Sequence, residues 1–171
     1  LAVVAALVRI VARLADPRPR QRVAWLRVPA FPRGTVASSF GMFAAWGVTG
    51  VTITSVPSAL AAAGSPRLGP LAVCFMILVG TVVQQAIGRM PARRLSLVGL
   101  PVLAAGAGLV VLGTLQASLP LLLGGGALVG SAAYGFLFVG ALAAASEAAS
   151  GEDRARAAAG VFLVAHAGFC I

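Results

Sequence analysis

The chain has 171 residues, of which 60% are hydrophobic and 10% charged, and its mean hydropathy is +1.00. A soluble domain carries about a quarter of its residues as charges, and a disordered segment lacks apolar surface, so composition excludes both. The 13 basic residues are all arginine and stand against 4 acids, for a net charge of +9. They punctuate apolar runs instead of sharing one polar face, which argues against nucleic acid as a partner and for a lipid bilayer whose two sides they distinguish.

Crossing about 30 Å of hydrocarbon takes about 20 mostly apolar residues in a helix. Residues 1–15 read as the end of a transmembrane helix. Their positive charges, Arg9 and Arg13, and those beyond at Arg18, Arg20 and Arg22, follow the apolar stretch, where a secretory signal carries them in front. Residues 16–34 contain Asp16-Pro17-Arg18-Pro19 and Pro29-Ala30-Phe31-Pro32, which cannot continue a helix, and they form the one substantial loop. Residues 35–171 read as a C-terminal transmembrane bundle with spans at about 35–60, 71–88, 95–115, 121–145 and a cut-short 157–171. The expected fold class is therefore an all-α integral membrane protein, a multi-helix transmembrane bundle. The chain opens on Leu1 and stops at Ile171 within an apolar run, so the expectation is a piece of a longer polypeptide.

Arginine placement tests this layout. If the chain crosses at every span, twelve arginines fall on one side, in loops 16–34, 89–94 and 146–156 and at Arg9 and Arg13, while only Arg67 falls on the other. The arginine-rich side is cytoplasmic by the positive-inside rule, and the expected location is the cell (inner or plasma) membrane.

Polar groups inside a span are costly and mark helix interfaces or a cavity. Trp46, Thr49 and Thr52 share one stripe of the second segment, and Trp46 lies too deep for the interfacial belt in which tryptophan is common. Gly80, Gln84 and Gly88 recur at i, i+4, i+8 with Gln85 one step round, and Gly126, Gly130 and Tyr134 share a face of the fifth segment with Ser131 beside them. His166 is the one ionisable residue well inside a span, and histidine changes charge near neutral pH. The expected cavity set is Trp46, Thr49, Thr52, Gln84, Gln85, Ser131, Tyr134 and His166; packing alone is the alternative for each. The fourth segment, nearly free of polar atoms, reads as a peripheral support. Cys74 and Cys170 lie in apolar stretches without a partner motif. No metal, cofactor or catalytic constellation is expected, since paired carboxylates within a span, a phosphate loop and HExxH are all lacking.

The run Gln84-Gln85-Ala86-Ile87-Gly88-Arg89-Met90-Pro91-Ala92-Arg93-Arg94 is similar to the eight-to-nine copy of the cytoplasmic loop motif of the major facilitator superfamily. Arg154 with Gly160, ahead of Ala165-His166-Ala167-Gly168, resembles that family's ten-to-eleven link. Together with the span layout, the chain resembles the C-terminal half of such a transporter, from the end of helix six to the start of helix eleven. The loop motif's customary Asp is absent between Gly88 and Arg93, so its gating salt bridge is not carried over. The resemblance implies half of a twelve-helix fold, with the N-terminal half of the same chain missing here. It also implies alternating access around a midplane site, a loop motif at Gly88, Arg89, Arg93 and Arg94, a small organic molecule as substrate, and protons as coupling ion in an efflux antiporter. The contrasting expectation is a non-transporting membrane scaffold or receptor, or an inactive truncated product.

The topology is checked by cysteine labelling in a variant lacking Cys74 and Cys170. A membrane-impermeant maleimide should modify Arg67→Cys in intact cells and reach Arg20→Cys and Arg93→Cys only after permeabilisation.

Overall fold

The computed structural model describes residues 28–32, 34–88, 90–151 and 153–170. The expected helix at 1–15 and most of the loop at 16–34 fall outside the described residues. Within them the chain forms five helices: α1 Val36–Ala62, α2 Leu68–Ile87, α3 Ala92–Leu115, α4 Leu119–Ala148 and α5 Asp153–Phe169. The first four are long and apolar enough to cross a membrane. In α4 the seven residues Ser131–Leu137 form a π-helical stretch.

Each helix begins earlier than expected or ends later, and the cause is local. Hydropathy sees only the apolar interior, whereas a first helical turn has no use for its amide hydrogens and accepts proline and charge. Thus α2 takes in Pro70, α4 takes in Pro120, α3 begins with Ala92-Arg93-Arg94, and α5 starts at Asp153 where the expected span started at 157. At the far end of α1, Gly64 at φ +79° donates to Ala61 O while Ser65 N donates to Leu60 O. This is a Schellman cap, which closes the last turn by a left-handed residue. The end of α3 repeats the pattern with Ala117 at φ 50° and Ser118 N on Gly113 O.

Contacts along the helices fix their directions. Gly99, Gly106 and Gly113 of α3 lie against Leu137, Val129 and Leu122 of α4 in turn, so α3 and α4 are antiparallel. Gly80 and then Val83 of α2 meet Gly130 and then Gly135 of α4, so those two run parallel. Gly69 near the start of α2 meets Pro57 near the end of α1, and Gly160 and Gly168 of α5 meet Phe31 and Phe43 in order. Direction therefore alternates from helix to helix. Arg93, Arg94, Arg154 and Arg156 lie at one end of the bundle and Arg67 at the other.

Half of the apolar window of α4 is buried, against 22–28% for α1 to α3, which makes α4 the central helix. Its backbone lies on its neighbours with almost nothing between. A Cβ placed on Gly80 would stand 2.5 Å from Gly130 O, and one on Gly106 would stand 2.8 Å from Val129 N. Only residues without a side chain allow such approach. The α3 seam is thus intimate although α3 is poor in polar atoms.

Gly106→Ala should lower the unfolding temperature in detergent, with a cost of about 1–3 kcal/mol from overpacking against fixed backbone. Gly108, whose Cβ position meets nothing within 4 Å, is the control: Gly108→Ala should leave stability unchanged or raise it by up to about 1 kcal/mol through helix propensity.

Candidate functional site

Gly47 and Gly50 of α1 let α5 come close, their Cβ positions standing 3.3 Å from Gly168 O and Phe169 O. That approach brings side chains of α5 over Trp46. The indole, ten residues into α1 and about 15 Å along it, becomes the hub of an aromatic cluster. His166 stacks on it at a tilt of 38° with ring centroids 5.4 Å apart, Phe169 meets it edge-on at 6.0 Å, and Tyr134 meets it edge-on at 5.9 Å. Edge-to-face pairs at these separations contribute about 0.5–1.5 kcal/mol each. A second pair, Phe138 with Phe162 at 5.4 Å, continues the contact between α4 and α5.

The polar atoms of this cluster are unevenly provided for. His166 Nδ1 lies 2.7 Å from Phe162 O. A carbonyl oxygen can only accept, so Nδ1 carries the hydrogen and Nε2 of the neutral ring keeps its lone pair. Trp46 Nε1 is buried and has no hydrogen-bond partner among the described residues. An enclosed indole N–H without an acceptor costs about 1–3 kcal/mol, a cost that a bound group with an acceptor would remove. Ser55 Oγ is likewise buried and without a partner among those residues, and nothing in its surroundings explains it.

Tyr134 extends the cluster towards α2. Its Cβ stands 3.0 Å from the position a Cβ on Gly80 would take, and Gln84 follows Gly80 by one turn. Gln84 and Gln85 line an open cleft of about 390 Å³ with Gly88, Val139, Leu142, Ala143 and Ser146. His166, Trp46 and Tyr134 thus form a band across α5, α1 and α4, and Gln84 of α2 lines the cleft beyond it. None of its members comes from α3.

The other expected cavity residues are placed differently. Thr49 and Thr52 are 0% and 3% exposed, and their hydroxyls donate to Ala45 O and Val48 O one turn back. Ser131 is 7% exposed and donates to Ala127 O. These three are packed between helices with their hydrogen bonds made at home, a disposition common for hydroxyl residues in apolar helices. Of the loop motif, Gly88, Arg93 and Arg94 are exposed at the arginine-rich end, and the Arg89 side chain lies outside the described residues. Gly160 and Gly168 act as seats: Ala30 O and Phe31 pack on the first, Phe43 on the second. Arg156 ties the same end together, donating to Val28 O and pairing with Asp153 at 2.9 Å, an exposed pair that contributes at most about 1 kcal/mol.

Phe169 was not among the expected site residues, although the sequence carries a signal for it. Phe162, His166 and Phe169 recur at i, i+4 and i+7, the spacing that puts side chains on one helical face. Comparison with protein-family models, with curated proteins and with solved structures finds no match.

Trp46→Phe keeps the aromatic body and removes the orphaned donor, so unfolding in detergent should show stability equal to or above wild type. Trp46→Ala, which empties the hub, should cost about 3–5 kcal/mol.

Proposed function

We propose that this chain is one half of a secondary active transporter of the major facilitator type, moving a small organic solute across a membrane by alternating access. The observation that carries the reading is the band of His166, Trp46 and Tyr134. It gathers polar and aromatic side chains of three helices, with a buried indole donor left without a partner among the described residues, and Gln84 lines a separate cleft beside α4. A solute-binding surface between helices has this make-up, largely apolar with a few convergent polar atoms. Strict alternation of helix direction and the gathering of Arg93, Arg94, Arg154 and Arg156 at one end support a polytopic protein whose arginine-rich end is cytoplasmic. The second half of such a transporter would close over the band, and α3, which gives it nothing, would stand away from the pathway.

The coupling ion in this reading is the proton, and the direction is efflux by antiport. The chain performs no covalent chemistry on the solute and is not an enzyme.

The test is transport by the full-length protein in proteoliposomes under an imposed pH gradient, with a panel of neutral planar aromatic compounds. Trp46→Phe and Gln84→Ala should each lower the rate several-fold. Thr52→Val should leave it at the wild-type value, because that hydroxyl is already committed to Val48 O. Movement of no compound, or indifference to both substitutions, overturns the proposal in favour of a non-transporting scaffold.

A further inference from the structure

We infer that the groove between α1 and α5 holds one membrane phospholipid, and that its headgroup carries both a phosphate and an ammonium with hydrogens to donate. Such a site goes beyond the transport reading and does not depend on it. An apolar slot of about 430 Å³ lies between the first half of α1 and α5, lined by Phe40 and Phe43 from α1, Val164 and Ala167 from α5, and Phe31 at the end nearer the arginines. Thr35 also lines it, but its hydroxyl is spent on Pro32 O. Val164 and Ala167 share one flank of α5, and Phe162, His166 and Phe169 share another, so the slot is separate from the aromatic cluster. Phe31 and Phe40 are 54% and 70% exposed, which leaves the slot open on its lipid side.

The slot has a polar neighbour. Phe31 also lines a cavity of about 260 Å³ together with Ser150, Asp153 and Arg156, so the apolar slot and the charged cavity meet at one ring. Ala167 lies eleven residues beyond Arg156, about 16 Å along α5, and one leaflet supplies half of a hydrocarbon core about 30 Å thick. An acyl chain whose headgroup sits at Arg156 therefore runs the length of the slot. Leaving other lipid for this slot gains the chain little, since both surroundings are apolar. The slot sets the chain's register, and the choice of lipid resides in the headgroup.

The charged cavity selects that headgroup. Arg156 Nε donates to Val28 O at 3.0 Å, its Nη1 pairs with Asp153 Oδ1 at 2.9 Å, and its carbonyl accepts from Ala30 N. These bonds hold guanidinium and carboxylate side by side. Among the described residues they leave Nη2 as a donor and Asp153 Oδ2 as an acceptor. Guanidinium N–H groups suit phosphate oxygens, and a carboxylate oxygen suits an ammonium N–H. A headgroup with phosphate alone would satisfy Arg156 and set a second negative group beside Asp153. A choline headgroup brings the cation without a hydrogen to donate. An ethanolamine headgroup meets both demands.

The test is native mass spectrometry of the full-length protein released from micelles that contain equal amounts of phosphatidylethanolamine, phosphatidylcholine and phosphatidylglycerol. Wild type should retain one ethanolamine lipid about two- to fivefold more than either competitor, the range of a partly exposed ion pair. Asp153→Asn keeps an oxygen for Arg156 and loses the charge, so ethanolamine and choline lipids should then be retained equally. Ala167 is exposed, so the ring of Ala167→Phe displaces lipid rather than protein contacts, and retention of all three lipids should fall several-fold. Equal retention of the three by wild type, or a preference that survives in Asp153→Asn, overturns the inference. Retention that Ala167→Phe leaves unchanged shows a slot closed by protein, from a second copy or from another helix of the same polypeptide, and overturns it as well. None of these outcomes alters what the transport assay reads.

Discussion

Backbone lies on backbone along both sides of α4, and the placement of every other group depends on that approach. Between helices surrounded by lipid, burying apolar side chains gains little, because the lipid is as apolar as the helix. What remains is dispersion, which falls steeply with distance. Glycine at Gly80 and Gly130 on one side, and at Gly99, Gly106 and Gly113 on the other, removes the spacer and brings whole peptide groups into contact. Two seams built this way hold α2, α3 and α4 as one slab. A third, made by Gly47, Gly50 and Gly168, ties α5 to α1. The glycines that in water would weaken a helix by about 1 kcal/mol each are here the condition for packing.

The site depends on those seams. Because α5 is drawn against α1, His166 and Phe169 reach Trp46; because α4 is drawn against α2, Tyr134 sits over Gly80 with Gln84 one turn on. The polar groups then sort themselves by reach. Serine and threonine hydroxyls are short and find a carbonyl one turn back, as Thr49, Thr52, Thr81, Thr114 and Ser131 do. An indole N–H and an imidazole Nε2 are held too far from their own backbone to do the same. Of the buried side-chain polar atoms, two are left without a partner among the described residues: the indole N–H of Trp46, which its own backbone cannot reach, and Ser55 Oγ.

This sorting explains how much could be read from the chain alone. The existence and order of the spans were legible, since a run of about 20 apolar residues has few other uses. Their ends were not, because Pro70, Pro120, Arg93 and Asp153 sit in first turns that hydropathy discounts. The seven-residue spacing of Gly99, Gly106 and Gly113 showed a face of α3 but not which helix lies on it; that depends on contacts distant in sequence. For the candidate site, the depth of Trp46 and the isolation of His166 drew attention to both, and the structure stacks their rings. Thr49, Thr52 and Ser131 shared their stripes and so looked equivalent, but periodicity reports direction and not whether a hydroxyl has already been satisfied.

The π-helical stretch of α4 was the feature least visible in sequence, and its position is explained by what α4 must face. Along α2, Gly80 meets Gly130 and the Cβ of Tyr134, and Val83 meets Gly135. An α-helix turns once in about 3.6 residues, so Gly130 and Gly135, five apart, would diverge by a large angle and could not both lie on one neighbour. Over Ser131–Leu137 the helix widens, and the five-residue step from Gly130 to Gly135 then approaches a full turn. Tyr134 is held against Gly80 while its ring still reaches the edge of Trp46 at 5.9 Å. Beyond Leu137 the helix returns to α geometry, with Gly140 seated on Leu95 of α3. The widened turn lets a single helix satisfy α2, α3 and the aromatic cluster together. Such turns are uncommon, and here the wide turn falls where the contacts with α2 and with the aromatic cluster make competing demands on the same residues.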